Sequence, residues 1–359
     1  SKLAPIMLLC LRQLAIFLYL PPRIIDMKRR QPTTKHIISL FLVIVLILSI
    51  FLMLQRSLTT IRLHDDQIEL QKFANAMAAF IIENGLNYKV ELVEATIKEA
   101  RSLLLRGDID ITLELWRENN LLWHTEGIKA SLLTDLGEIY SGGKQYWIIP
   151  KWYAEDHKIK SVFDMQDHWQ DFLDPDDPSK GLFFNCIVGW TCQDINRVKL
   201  QAYGLDKFFN TVSPLSPKSL QSIYANAQSR KIPVFGYYWE PNSIMTNHDW
   251  YILEEPQYSD SIWQQVVEAA ANPGANRLEK ACSFNDSGAH KVANSKLASK
   301  APEVFQMVKK MKLDIELVNQ ILFSNDKMEE NKLSPEDLAK QFLLDHPDQW
   351  SSWVTEDVR

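Results

Sequence analysis

Apolar residues in the first part of the chain switch repeatedly between strand spacing and helix spacing. Residues 61–63 and 88–93 follow the alternation of strands, and residues 65–84 and 96–106 carry apolar side chains at helical spacing. Residues 108–116 form a third predicted strand. This β-α-β-α-β order predicts an α/β fold with a largely parallel sheet and helices on its faces.

A second series of strands and helices follows a Ser-Gly-Gly joint at residues 141–143. We interpret residues 59–143 as the first part of lobe 1, residues 144–238 as an inserted lobe 2, and residues 239–359 as the second part of lobe 1. The chain would then cross between the lobes twice. Two crossings of this kind form a hinge with a cleft between the lobes.

The N-terminal region contains two apolar runs. Residues 8–20 are short for a membrane span, whereas residues 37–54 are almost wholly apolar and follow Lys28, Arg29 and Arg30. That layout is typical of a secretory signal or signal anchor, and neither a small-residue cleavage pattern nor a lipobox cysteine follows it. We therefore predict an uncleaved transmembrane anchor, with the basic residues inside and the remaining chain outside the membrane.

The anchor prediction assigns residues 27–58 to the basic region and the transmembrane segment. Met27 is a second candidate for the start of the protein. Residues 1–26 would then be an apolar extension that is absent from the mature protein, or the end of another membrane segment.

Composition excludes several classes of function. The 359 residues carry a formal net charge of −6, which argues against a nucleic-acid-binding protein. The 8 histidines form no HExxH motif, and no GxSxG elbow, P-loop or GxGxxG motif is present. We expect no catalysis, no metal and no cofactor.

Three tryptophans occupy ends of predicted strands or loops: Trp116, Trp190 and Trp239. The face of an indole attracts cations, and stacked rings suit quaternary ammonium groups, which have no N–H to donate. Three rings contribute at most ~6 kcal/mol, whereas micromolar affinity requires ~8 kcal/mol. A further group must therefore hold the ligand, although core packing is the ordinary role of any single tryptophan.

The loop around Trp190 could supply that group. It runs from Cys186 to Cys192 and leads into a helix predicted to begin at Asp194. Backbone amides at a helix start bind anions, so this loop could seat a ligand carboxylate. Two cysteines this close in sequence can be disulfide-bonded in an oxidising compartment, and no neighbouring ligands complete a zinc site.

Several segments resemble the glycine betaine and choline substrate-binding proteins of ABC importers. They occur in the family's order and span nearly all of the chain after residue 59. The matching segments are GDIDITLELW at 107–116, DLGEIYSG at 135–142, YWIIPK at 146–151, NCIVGWTC at 185–192, AYGL at 202–205, YYWEP at 237–241, LEEP at 253–256 and WSSWV at 350–354.

The resemblance implies a two-lobed fold like that of type II periplasmic binding proteins, with a ligand cleft between the lobes. It also implies binding of a small quaternary amine, delivery to an ABC permease, and an extracytoplasmic, membrane-anchored location. By position, Trp116, Trp190 and Trp239 would form the cage, and the amides of Thr191 and Cys192 would bind the carboxylate. Cys186 and Cys192 resemble a loop disulfide found in part of the family.

The chain departs from the family pattern after two of the cage positions. Glu240 and the sequence Pro-Asn-Ser follow Trp239, and Arg-Glu-Asn-Asn follows Trp116, so the carboxylate-binding histidines of relatives are missing there. The ordinary interpretation of Glu240 is a solvated loop residue, and a cation partner is the alternative. These changes make choline, or another trimethylammonium or amine compound, competitive with glycine betaine as the ligand. A membrane-tethered sensor or interaction domain on the same fold is the alternative function.

Overall fold

The computed structural model describes residues 34–274, 276–328 and 331–358. The predictions for residues 1–26 and for the basic segment up to residue 33 lie outside these ranges. The chain divides into two compact units, one ending at Leu52 and the other beginning at Met53. Helix α1 is Thr34–Leu58. Among the residues described, no helix combines the length and apolar character needed to cross a membrane.

Nine strands make up the described sheet. They are β1 (Thr60–Asp65), β2 (Lys89–Glu94), β3 (Ile111–Leu115), β4 (Leu133–Pro150), β5 (Gly181–Phe184), β6 (Phe209–Val212), β7 (Phe235–Glu240), β8 (Trp250–Ile252) and β9 (Ser287–Asn294).

Helices after α1 connect or flank the strands. They are α2 (Glu69–Asn84), α3 (Ile97–Arg106), α4 (Leu121–Lys129), α5 (Lys151–His157), α6 (Thr191–Ala202), α7 (Pro217–Arg230), α8 (Ser243–Asn247), α9 (Asp260–Ala271), α10 (Leu297–Lys300), α11 (Pro302–Lys310), α12 (Ile315–Asp326), α13 (Pro335–Asp345) and α14 (Pro347–Trp350). Short 3-10 turns are Glu118–Asn120, Asp164–Asp167, Trp169–Phe172, Leu205–Lys207, Ser351–Trp353 and Glu356–Val358.

The strand order is β2-β1-β3-β9-β4-β7-β5-β6, and β8 pairs with β4. Strand β1 is parallel to β2 and β3, whereas β9 is antiparallel to both β3 and β4. The first part of β4 pairs with β9, and its last part pairs with β7 and β8. Strand β4 therefore continues from the sheet of lobe 1 into the sheet of lobe 2.

The second crossing differs from the prediction. We expected the chain to return to lobe 1 after residue 238, but β7 and β8 both remain paired with the lobe 2 part of β4. The chain rejoins the lobe 1 sheet at β9, where Ser287 pairs with Gly143. Because β9 is antiparallel to its neighbours, the sheet is mixed rather than largely parallel.

The buried apolar residues form two clusters, one within lobe 1 and one that covers lobe 2 and extends into lobe 1 at α3 and β3. In lobe 1, α2 packs against α13, with the rings of Phe73 and Phe342 edge to face at 5.4 Å. The terminal Trp353 is buried in this core. In lobe 2, Trp147 and Phe235 each pack against Phe183 with ring centroids 4.8 Å apart. These cores hold the facing ends of the two lobes in place.

Candidate functional site

One cavity lies where residues of both lobes meet, and every cage residue predicted from the sequence lines it. Trp116 follows β3 and Trp239 lies on β7, while Trp190, Thr191 and Cys192 come from the start of α6. The full lining is Asp66, Ile68, Ile97, Glu114, Trp116, Asn119, Asn120, Gln145, Trp190, Thr191, Cys192, Tyr237 and Trp239. A ligand-binding role for these residues stays a prediction.

The rings form an aromatic wall on the lobe 2 side. Trp190 and Trp239 meet edge to face, with centroids 5.3 Å apart and planes inclined by 70°. Tyr237 lies two residues before Trp239 on β7 and stacks beside it at 6.1 Å. Because side chains alternate along a strand, both rings lie on the same face of β7. The sequence motif contained Tyr237, but its place in the cavity depends on this alternation.

Trp116 belongs to the lobe 1 side of the cavity. Its ring lies over Gly143 on β4, where a Cβ atom would come within 2.9 Å of the indole. The predicted Ser-Gly-Gly joint therefore has a packing function, since only glycine lets the backbone approach the ring this closely. The Trp116 indole N–H donates a hydrogen bond of 3.3 Å to Glu114.

The loop and helix start around Trp190 differ in one detail from the prediction. Helix α6 begins at Thr191 rather than Asp194. The first N–H groups of a helix have no partner within the helix, so those of Thr191 and Cys192 are placed to bind an anion. Cys186 and Cys192 are joined by a disulfide, which links the loop to the first turn of α6.

Two buried carboxyl groups line the cavity, and neither was among our candidate residues. Asp66 follows β1, accepts a hydrogen bond from the Trp190 indole at 2.7 Å, and accepts another from the Ile97 amide at 3.1 Å. Burial raises the pKa of Asp66 well above its usual value. Glu114 lies on β3, and burial raises its pKa to about 7.

A network of uncharged polar groups covers another part of the wall. The Gln145 side chain accepts hydrogen bonds from Asn119 at 2.7 Å and from the Tyr237 hydroxyl at 2.9 Å. Asn120 and Thr191 are held by the guanidinium of Arg101, which donates to the Thr191 hydroxyl at 2.9 Å. Among the residues that line the cavity, none is Lys, Arg or His. The cavity is therefore suited to a cation.

Glu240, which we considered as a cation partner, lies outside this cavity and at the end of β7. It is the residue after Trp239 on β7, so its side chain leaves the opposite face of the strand. There its carboxylate adds to the effect of burial in raising the pKa of Tyr146. Alternation of side chains could have identified Glu114 from the sequence, because Glu114 lies two residues before Trp116 and therefore on the same side of the strand.

Direct contacts join the lobes beside the cavity. Besides the bond between Trp190 and Asp66, the Lys98 ammonium on α3 lies 2.5 Å from the Asp194 carboxylate on α6. The chain at Gly189 passes so close to Thr96 that a Cβ atom would come within 2.5 Å of its methyl group. The two lobes are therefore closed against each other.

Comparison with known proteins identified one matching family and several similar folds. Residues 59–345 match the family model described as the substrate-binding domain of the ABC-type glycine betaine transport system. A curated relative is the glycine betaine-binding periplasmic protein OusX of Dickeya dadantii (strain 3937). It is 23% identical over 259 residues, which cover 70% of this chain and 75% of that protein.

Solved structures show the same fold. The glycine betaine/L-proline-binding protein ProX of Borrelia burgdorferi has a TM-score of 0.66 at 16% identity, over 84% of this chain and 98% of that one. An ABC-transporter choline-binding protein in complex with choline has a TM-score of 0.64 at 19% identity, over 82% and 92%. Lactococcal OpuAC in a closed form with glycine betaine has a TM-score of 0.63 at 12% identity, over 83% and 100%.

Proposed function

The chain belongs to the family of substrate-binding domains of ABC-type glycine betaine transport systems, and from this premise we propose that its cavity captures a small quaternary or methylated amine. Proteins of this family bind substrates for transport and are not enzymes. The single observation that carries the proposal is the lining of the cavity. Three indole rings, the Tyr237 ring and two carboxyl groups converge there without any basic side chain.

The energetics of the lining fit this ligand class. A cation over an aromatic face gains about 0.5–2 kcal/mol, and the gain is larger where water is excluded. Trp190 and Trp239 are almost fully buried, so their faces are shielded from solvent. The Glu114 carboxyl group, whose pKa is raised to about 7, supplies additional attraction to a cation when it is ionised.

We further propose that binding uses closure of the lobes and that the closed form delivers the amine to an ABC permease. The contacts from Trp190 to Asp66 and from Lys98 to Asp194 support closure, because they form only when the lobes meet. Family membership supports the permease. The extracytoplasmic location is supported by the family and by the Cys186–Cys192 disulfide.

The membrane anchor stays a prediction that rests on the apolar sequence of residues 37–54. If the prediction is correct, the full chain remains in the membrane pellet after alkaline carbonate extraction, whereas a chain that starts at residue 59 does not. Release of the full chain by carbonate would contradict the anchor.

The ligand class is tested by titrating the purified protein with choline, glycine betaine and other methylated amines while tryptophan fluorescence is recorded. We expect saturable quenching, because Trp190 and Trp239 line the site. Thermal unfolding in the same ligands should shift upward, since a ligand that binds only the folded state stabilises it. If no methylated amine causes either change, the proposal is wrong.

A further inference from the structure

Glu114 has one carboxylate oxygen that the protein leaves unused. Its Oε1 atom accepts hydrogen bonds from the Tyr140 hydroxyl at 2.8 Å and from the Trp116 indole at 3.3 Å. Its Oε2 atom is buried, and no donor reaches it among the described residues. Buried carboxylate oxygens are normally paired, because an unpaired one loses its hydration without compensation. Since Glu114 lines the ligand cavity, the missing donor fits a group on the ligand.

Asp66, the other buried carboxyl group in the cavity, has no unpaired oxygen. Both oxygens of Asp66 are engaged, Oδ1 by the Trp190 indole and Oδ2 by the Ile97 amide. Burial raises the pKa of Asp66 well above its usual value, which favours the neutral carboxyl group. Among the described carboxyl groups that line the cavity, the unpaired acceptor is therefore Oε2 of Glu114. The carboxylate of a zwitterion would offer this oxygen no donor.

The ionisation of Glu114 makes the affinity for a cationic ligand depend on pH. Burial raises its pKa to about 7, and the groups that face it are Asp66 after β1, Tyr140 on β4, Tyr237 on β7 and the Trp116 indole. The phenols are neutral in this range and burial also favours the neutral form of Asp66, so the ionisation of Glu114 is the change in charge that affects a bound cation. A cation that donates to Glu114 favours the ionised carboxylate, and its affinity should therefore rise as pH increases through 7.

We propose that Glu114 makes this protein selective for amines that carry their own O–H or N–H donor and lack a carboxylate. Within the amine class proposed above, on which this inference rests, the preferred ligands are amino alcohols of the choline type. The cation lies against the indole rings, and the donor of the ligand binds Oε2 of Glu114. Betaines present an acceptor where the site also presents an acceptor.

Matched ligands test this selectivity on the full-length protein by isothermal titration calorimetry. Choline has the donor, (2-methoxyethyl)trimethylammonium has the same cation with the oxygen capped, and glycine betaine has a carboxylate instead. A hydrogen bond to a charged group corresponds to roughly 10- to 150-fold in affinity. We expect choline to bind at least about 10-fold more tightly than either of the other two ligands. Equal affinity for choline and its capped analogue would overturn the proposal.

Glu114→Gln supplies an outcome that misfolding cannot imitate. The amide nitrogen of glutamine places a donor where glutamate has an acceptor. The affinity for choline should therefore fall by about 10-fold or more, and the affinity for glycine betaine should rise. The rise of choline affinity between pH 6 and 8 should also become smaller in this variant. Glu126→Gln on the exposed surface of α4 is the matched control and should leave both affinities unchanged.

The outcomes separate this inference from the proposed function. Tighter binding of glycine betaine than of choline by the native protein, or unchanged ligand preference in Glu114→Gln, refutes the role of Glu114 and leaves the amine-binding function standing. Failure of the native protein to bind any methylated amine refutes both.

Discussion

Trp116 and Trp239 line the same cavity but contribute differently to stability. Trp239 is 2% exposed and packs against Trp190, Tyr237 and Tyr238, so it belongs to the core as well as to the site. Trp116 is only partly buried. A ring can therefore be a cage residue and a core residue at once, and loss of stability in a variant does not exclude a ligand role.

Replacing Trp116 or Trp239 by alanine should affect amine binding and stability to different extents. Trp116→Ala should weaken amine binding roughly 2- to 30-fold, the value of one cation–π contact, with a small loss of stability. Trp239→Ala should weaken binding and also lower the free energy of unfolding by about 3–5 kcal/mol. Calorimetric titration and urea unfolding measure the two quantities. A Trp116→Ala protein that binds normally would remove Trp116 from the cage.

His64 is a buried histidine at the end of β1, just before Asp66. Its Nδ1 lies 3.0 Å from the Thr112 hydroxyl and its Nε2 lies 2.9 Å from the carbonyl of Ala95. Burial lowers its pKa from 6.5 to about 4, partly offset by the Ala95 carbonyl. The folded protein therefore holds His64 neutral at physiological pH.

The lowered pKa of His64 predicts that the protein loses stability as pH falls from 6.5 towards 4. In the unfolded chain His64 binds a proton near pH 6.5, whereas in the folded protein it does so near pH 4. Its contribution of about 3 kcal/mol is fully present above pH 6.5 and is lost as pH falls towards 4. The difference in unfolding free energy between the native protein and His64→Asn should shrink over this range in urea titrations. A constant difference would show that His64 does not titrate as stated.

At the scale of elements, β9 decides how the two lobes are connected. Its eight residues, Ser-Gly-Ala-His-Lys-Val-Ala-Asn, contain few large apolar side chains, yet seven of them are buried. Distant groups satisfy its polar side chains. His290 and His124 lie 3.0 and 2.9 Å from the Asp135 carboxylate, and the Lys291 ammonium contacts the Met311 carbonyl. These partners allow a polar segment to occupy the middle of the sheet.

The junction of β4 and β9 also supports the cavity. A Cβ atom at Gly143 would lie 2.7 Å from the Ser287 carbonyl and 2.9 Å from the Trp116 ring. Gly143→Ala should therefore displace Trp116, weaken amine binding and lower the free energy of unfolding by about 1–3 kcal/mol. Gly274→Ala, in an open exposed loop, is the control and should change neither quantity. Unaltered binding in Gly143→Ala would show that the ring tolerates the added methyl group.

At the scale of the whole molecule, the site exists only when the lobes are together. Arg101 on α3 of lobe 1 binds Asn120 and reaches the Thr191 hydroxyl on α6 of lobe 2. It lies behind the residues that line the cavity. Its role is therefore to position them and to favour the closed form, without contact with the ligand.

Arg101→Ala should weaken amine binding by about 1.5–3 kcal/mol, because it removes hydrogen bonds from a charged donor. It should also increase the radius of gyration measured by small-angle X-ray scattering in the presence of ligand, which a purely local defect would not do. Arg106→Ala on the same helix removes an exposed ion pair with Asp108 and should cost at most about 1 kcal/mol of stability, with no change in binding. A scattering profile identical to that of the native protein would argue against the closure role.

The sequence by itself predicted the local elements, and its resemblance to a known family indicated the ligand class. Helical spacing predicted α3, strand patterns predicted β2 and β3, and three tryptophans at strand ends or in loops indicated an aromatic pocket. The elements could be predicted because periodicity depends on neighbours in the chain.

Only the tertiary structure decided the placement of β9 and the electrostatics of the cavity. The burial of His290 and Lys291 depends on partners far away in sequence, and no local pattern reveals them. The orientation of Glu114 into the cavity and of Glu240 away from it follows from the register and face of β3 and β7. A shift of either strand by one residue would turn its side chains to the other face, so that Glu114 would leave the cavity or Glu240 would enter it. The charge of the site therefore could not be deduced from composition.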